Sequence, residues 1–167
     1  MNNLSSVLSS LAYLALQVLF IRHWALFDMA FCLVYISVML LLPFQLSSLW
    51  LMAVGFVLGF CVDIFYDTLG IHAACCVFLG YLRPYIANLI RPSGGYEIAM
   101  KPYLSIMGLR WFVTYTALLT AVHHFPLFLI EAWSFHLFGF TLLKALFSTL
   151  FTSVVIVIFQ YLFYRNK

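Results

Sequence analysis

Long apolar runs follow one another along this chain with almost nothing charged between them. They cover Leu4 to Ile21, Ala25 to Leu42, Leu49 to Tyr66, Ile71 to about Arg83-Pro84, Tyr103 to Val122, and Phe135 to Phe163. A water-soluble globule needs polar side chains to cover its outside. Here 8% of residues are charged and 66% are hydrophobic, against roughly 25% charged in an ordinary soluble domain. Lipid can cover an apolar outside, so a bilayer is the solvent that fits. A transmembrane helix takes about 20 apolar residues. At that rate the expected fold is all-α and polytopic, about six transmembrane helices in a single membrane-embedded domain over residues 1–167. The net charge of +3 is small and scattered, and gives no argument for nucleic acid.

The first run has neither a basic leader nor a small-residue cleavage site, so it reads as a retained helix. Arg22, His23 and Trp24 end it as an interfacial cluster, and Pro43 stops the second run. Ser47, Ser48 and Trp50 mark the next interface. Asp67-Thr68-Leu69-Gly70 supplies the chemistry of a tight turn. A kink or break is expected at Pro84, because the residue before a proline resists helix. Arg91 to Pro102, RPSGGYEIAMKP, is the main polar loop. His123-His124 end the fifth run, and Phe125 to Ser134 reads as an interfacial segment. Tyr161, Tyr164, Arg165 and Lys167 close the last run as an aromatic and basic anchor.

Gly55, Gly59 and Asp63 recur every four residues and so share one helical face. The glycines strip that face of side chains and let a second helix approach closely. Asp63, near the end of an apolar helix, needs a partner or water. The last helix carries Thr141, Lys144, Ser148 and Thr152 at spacings of three, four and four, again one face. Such a face looks into the bundle or at another protein, although Ser and Thr hydroxyls also bond their own preceding carbonyls. An ion pair between Asp63 and Lys144 is expected from their similar depth. Its rivals are Lys144 reaching outward to headgroups and Asp63 meeting Arg22.

No catalytic centre, cofactor site or metal site is expected. His123 and His124 are adjacent and would diverge by about 100 degrees on a helix. The chain has no H-E-x-x-H, no G-x-S-x-G and no phosphate loop. Cys32, Cys61, Cys75 and Cys76 lie in apolar runs and read as small buried side chains.

The stretch Gly59-Phe-Cys-Val-Asp63-Ile-Phe-Tyr-Asp67-Thr-Leu-Gly70-Ile-His72-Ala73, continued by Phe78-Leu-Gly80-Tyr81-Leu82-Arg83-Pro84, resembles the rod shape-determining protein MreD in its Bacteroidetes form. That family has a similar glycine, an aspartate four residues on, a Gly-x-His-Ala turn and a helix closing near Tyr-x-Arg-Pro. The resemblance implies a non-enzymatic subunit of the cell-elongation complex in the bacterial inner membrane. Its implied partners are MreC, MreB and the peptidoglycan-synthesis proteins. It also implies a fold similar to the substrate-binding subunits of energy-coupling-factor transporters. Those subunits show small residues four apart on the first helix, whereas here Ala12 is followed by Leu16. The packing or docking residues expected are Gly55, Gly59, Asp63, Asp67, Gly70, His72 and Lys144. The alternative is a vitamin-like small-molecule-binding subunit of a transporter, which needs a cavity lined by convergent polar groups.

Arg83, Arg91, Lys101 and Arg110 surround one loop region, and Arg165 and Lys167 lie at the C-terminus. With six spans these fall on one side, which the positive-inside rule makes the cytoplasm, together with both termini. Arg22 is a minor vote against. Topology reporters placed after Lys167 and within Ser93 to Tyr96 should both read cytoplasmic. A periplasmic reading from either one reverses the orientation.

Overall fold

Ser47 and Gly70 bound the two helices around which the molecule is built. In this computed structural model, residues 11–21, 25–26, 29–97, 100–133 and 138–164 are described. The expected helix start at Leu4, the cluster Arg22-His23-Trp24, the head of the last run at Phe135, and Arg165 with Lys167 lie outside them. The elements in chain order are α1 (Leu11–Ile21), β1 (Ala25–Leu26), β2 (Ala30–Phe31), a 3-10 turn (Val34–Ile36), α2 (Ser37–Leu40), α3 (Ser48–Tyr66), α4 (Ile71–Leu89), α5 (Leu104–Met107), α6 (Leu109–Ala132) and α7 (Phe138–Tyr164). The protein is mostly helical, and α3, α6 and α7 are long and apolar enough to cross a membrane.

The Ser47 hydroxyl accepts the Trp50 N–H and caps α3. The helix ends at Asp67, whose φ of 54° is left-handed, and Gly70 at φ 88° launches α4. The two helices then lie backbone to backbone. A Cβ at Gly55 would stand 2.6 Å from the Cys76 carbonyl oxygen, and one at Gly59 2.5 Å from Ala73 Cα. Gly80 of α4 answers from the other side, with a Cβ position 2.8 Å from the Leu51 carbonyl carbon. The glycine face is therefore occupied within the chain, by α4.

Helix α7 shows the polarity of a membrane helix. Thr141, Ser148, Thr149, Thr152, Ser153 and Gln160 are buried on its inner side, while Leu142, Leu146, Leu150, Val154 and Ile158 are exposed. A helix in water has the reverse arrangement. The exposed apolar stripe suits lipid.

The run Ala25 to Leu42 departs from expectation, since it forms no span-length helix. The hairpin of β1 and β2 pairs Ala25 with Phe31 and Leu26 with Ala30. The chain then passes through the middle of the bundle in mixed conformation. Cys32 to Leu40 are all buried. At one end Phe31 lies under the Lys144 ammonium, and at the other Phe44 stacks on Tyr96 at 4.1 Å. Buried polar side chains from four other helices satisfy its backbone, so the helical ladder is not needed there.

Two further boundaries are corrected. Pro84 does not end α4, which continues to Leu89. Contacts beyond the proline hold that last turn: Tyr96 Oη donates to the Ala87 carbonyl at 2.6 Å and Trp111 Nε1 to Ile90 at 2.9 Å. Phe125 to Ala132 is the continuation of α6, with Pro126 inside it. Leu127 and Phe128 are buried there, and this core contact outweighs the proline. The fifth run is interrupted instead at Gly108, φ 79°, between α5 and α6.

Gly59→Ala should sharply lower the folded yield in membranes, because the added methyl meets backbone atoms of α4 that cannot rotate away. Gly139→Ala, on an exposed helical position with open space around it, should be neutral or raise stability by up to about 1 kcal/mol. Thermal aggregation of the two variants in detergent checks the contrast, and equal behaviour would refute the close approach.

Candidate functional site

Some of the interior polar groups hold the chain together and others line a cavity. Asp63 belongs to the first group. Its position in the last turn of α3 brings its carboxylate against the N-terminus of α4. Oδ1 accepts the His72 N–H at 3.0 Å and the Thr68 hydroxyl at 2.5 Å, and Oδ2 accepts the Ala73 N–H at 2.9 Å. The first N–H groups of a helix have no partner in their own helix, and the end carries partial positive charge. A carboxylate answers both needs without a cation.

The expected ion pair between Asp63 and Lys144 is therefore not formed. Lys144 Nζ bonds Glu131 Oε2 at 3.1 Å. The α4 N-terminus is nearer in sequence to Asp63 and is fixed by a short turn, so it takes the carboxylate first. Lys144 is instead held over the Phe31 and Phe128 rings, 4.6 Å from each centroid. Arg22, the rival partner for Asp63, is outside the described residues.

The irregular segment is held by a second set. Gln17 of α1 donates to the Cys32 carbonyl at 3.0 Å and accepts the Tyr35 N–H at 3.4 Å. From α7, Ser148 accepts the Phe31 N–H at 2.9 Å, and Thr152 accepts the Leu33 N–H at 3.1 Å while donating to the Phe31 carbonyl. Arg83 of α4 is 2% exposed. Its guanidinium donates to the carbonyls of Leu40, Leu42 and Pro43 and to the Tyr115 hydroxyl, which itself donates to Leu40.

Between these two sets lies a buried aromatic cluster. Tyr35 Oη is 2.9 Å from His72 Nδ1 and 2.8 Å from His123 Nε2, with the Cys76 thiol 3.9 Å away. His124 turns elsewhere, its Nε2 3.2 Å from Thr152 Oγ1. Next to His72 is a cavity of about 340 Å³, lined by Phe31, Leu33, Tyr66, Thr68, Ile71, His72, Leu127, Phe128, Glu131 and Lys144.

Of the residues expected to matter, Gly55, Gly59 and Asp63 build the α3–α4 pair, while His72 and Lys144 line the cavity. Asp67 is exposed in the turn, and Gly70 enters α4 behind it. Sequence reasoning passes over Gln17, Tyr35 and Tyr115, and Arg83 and His123 stand out there only as a basic-collar residue and one of two diverging histidines. A signal existed for Gln17, which stands inside an apolar run where an unpartnered polar group is costly.

No family model matches this chain, and no curated protein and no solved structure matches it either.

Asp63→Ala leaves two buried N–H groups and a hydroxyl unanswered, at about 1–3 kcal/mol for each buried donor. It should lower the midpoint of thermal unfolding strongly, and Asp63→Asn should lose less. Exchanging the charges, Asp63→Lys with Lys144→Asp, should give no recovery over the worse single variant. Recovery of folded protein in the double exchange would reinstate the direct pair.

Proposed function

We propose that this chain is a non-enzymatic subunit of the bacterial cell-elongation complex, similar to MreD, that acts in the inner membrane by docking partner proteins. One observation carries the reading. The residues that bear the resemblance are those that join α3, α4 and the buried segment. Gly59 lies against Ala73, Asp63 holds the His72 and Ala73 N–H groups, Gly80 meets Leu51, and Arg83 holds the carbonyls of Leu40, Leu42 and Pro43. The motif thus describes a scaffold. Its two buried charged groups, Asp63 and Arg83, are engaged chiefly with backbone.

Six crossings with both termini in the cytoplasm fit this reading. Helix α4 matches α3 in length at 19 residues and packs along it. α1, the buried segment, α3, α4, α6 and α7 then make the six. The docking surface we assign is the exposed turn from Asp67 to Gly70, where Leu69 is fully open. MreC, MreB and the peptidoglycan-synthesis proteins are the partners implied by the resemblance.

The cavity beside His72 favours the second reading, a small-molecule-binding subunit of a transporter. Depletion separates the two. An elongated host should widen or round up when the protein is lost, with vitamin uptake intact. Leu69→Glu should complement poorly while accumulating as folded protein. Normal shape with lost uptake would replace the scaffold by the transporter subunit.

A further inference from the structure

The cavity has a built polarity that scaffolding does not use. Lys144 is 19% exposed, while its partner Glu131 is 49% exposed. The ammonium is fixed from below by the Phe31 and Phe128 rings, and cation–π attraction strengthens where water is excluded. The carboxylate is therefore the movable member of the pair. Its seat on Lys144 demonstrates the geometry in which that ammonium takes a carboxylate.

His72 supplies a second donor. Its Nδ1 is taken by Tyr35, which leaves Nε2 as the ring nitrogen available to the cavity that His72 lines. The hydrogen-bond chain sets the proton. His123 Nδ1 is buried with no partner among the described residues. A buried N–H without an acceptor is the rarer kind of orphan, so the His123 proton belongs on Nε2, donating to Tyr35 Oη. Tyr35 then donates to His72 Nδ1, and His72 carries its own proton on Nε2. The cavity thus offers an N–H from His72 and the ammonium of Lys144, beside apolar walls of Phe31, Ile71, Leu127 and Phe128.

We infer that this cavity is a binding site for a small monocarboxylate with an apolar body. The carboxylate displaces Glu131 from Lys144 and accepts from His72, and the body lies among the apolar walls. The volume of about 340 Å³ is within the range of small-ligand sites. This inference is independent of the scaffold reading, because it concerns occupancy of the cavity and not docking at the turn.

The test is calorimetric titration of hydrocinnamate into the full-length protein in nanodiscs of zwitterionic lipid. Decanoate, phenethylamine and phenylalanine are run in parallel. Hydrocinnamate or decanoate should bind saturably and phenethylamine should not. A preference for decanoate marks a membrane-derived acyl carboxylate, and one for hydrocinnamate an aqueous aromatic one. Lys144→Met should weaken binding by about tenfold or more, and Lys144→Arg should retain most of it. Glu131→Gln should tighten binding several-fold by removing the internal competitor. Ile71→Trp narrows the cavity and leaves both charges in place, so it should lose binding even if Lys144→Met folds poorly. Absence of saturable carboxylate binding to the wild-type protein overturns the inference. So does a preference for phenylalanine that Glu131→Gln weakens, since that outcome describes a zwitterion site.

Discussion

The backbone of residues 31–43 is the constraint on which the rest of this structure depends. Buried backbone N–H and C=O groups must find partners, and a regular helix supplies them by itself. This segment is helical for only part of its length, so other helices must supply the partners. They do so with Gln17, Ser148, Thr152, Arg83 and Tyr115. Non-helical backbone is tolerated in a core where side chains answer it, and Cys32 to Leu40 are buried throughout. Placing that segment at the centre orients α1, α4, α6 and α7 around it, because each must present its polar residue inward. The reversed polarity of α7 follows from the same requirement.

Arg83 illustrates how far the arrangement goes. A buried guanidinium without partners is costly. Here its donors meet three backbone carbonyls and a phenol hydroxyl, with the Phe44 ring 5.8 Å from the guanidinium carbon. Carbonyls that lack a helical partner and a buried cation resolve each other's deficit. Asp63 plays the corresponding part at the opposite end, where the orphans are N–H groups and the answering charge is negative. With these two charges assigned to backbone, Lys144 and Glu131 are left to each other at the mouth of the cavity.

Much of the helical framework was legible in the residues. The helix from Ser48 to Tyr66 and the turn from Asp67 to Gly70 match the apolar run Leu49 to Tyr66 and the Asp-Thr-Leu-Gly turn chemistry that follows it. The four-residue spacing of Gly55 and Gly59 announced a close helix contact, and α4 provides it. Boundaries at proline were less legible. Pro84 and Pro126 are each retained within a helix, because contacts distant in sequence hold the turns that follow them. The cavity could not be read at all, since Lys144, Glu131, His72 and Phe31 come from four separate parts of the chain.

Composition by itself determined the solvent. With 8% charged residues and 66% hydrophobic ones, this chain has too little polar surface to face water, and α3, α6 and α7 are long and apolar enough to cross a membrane. Only the tertiary structure decided what becomes of each buried polar group. An apolar run such as Ala25 to Leu42 is equally hydrophobic as a lipid-facing helix or as an irregular core segment. What separates the two is whether donors and acceptors elsewhere converge on its backbone, and that convergence is a property of packing across the whole chain.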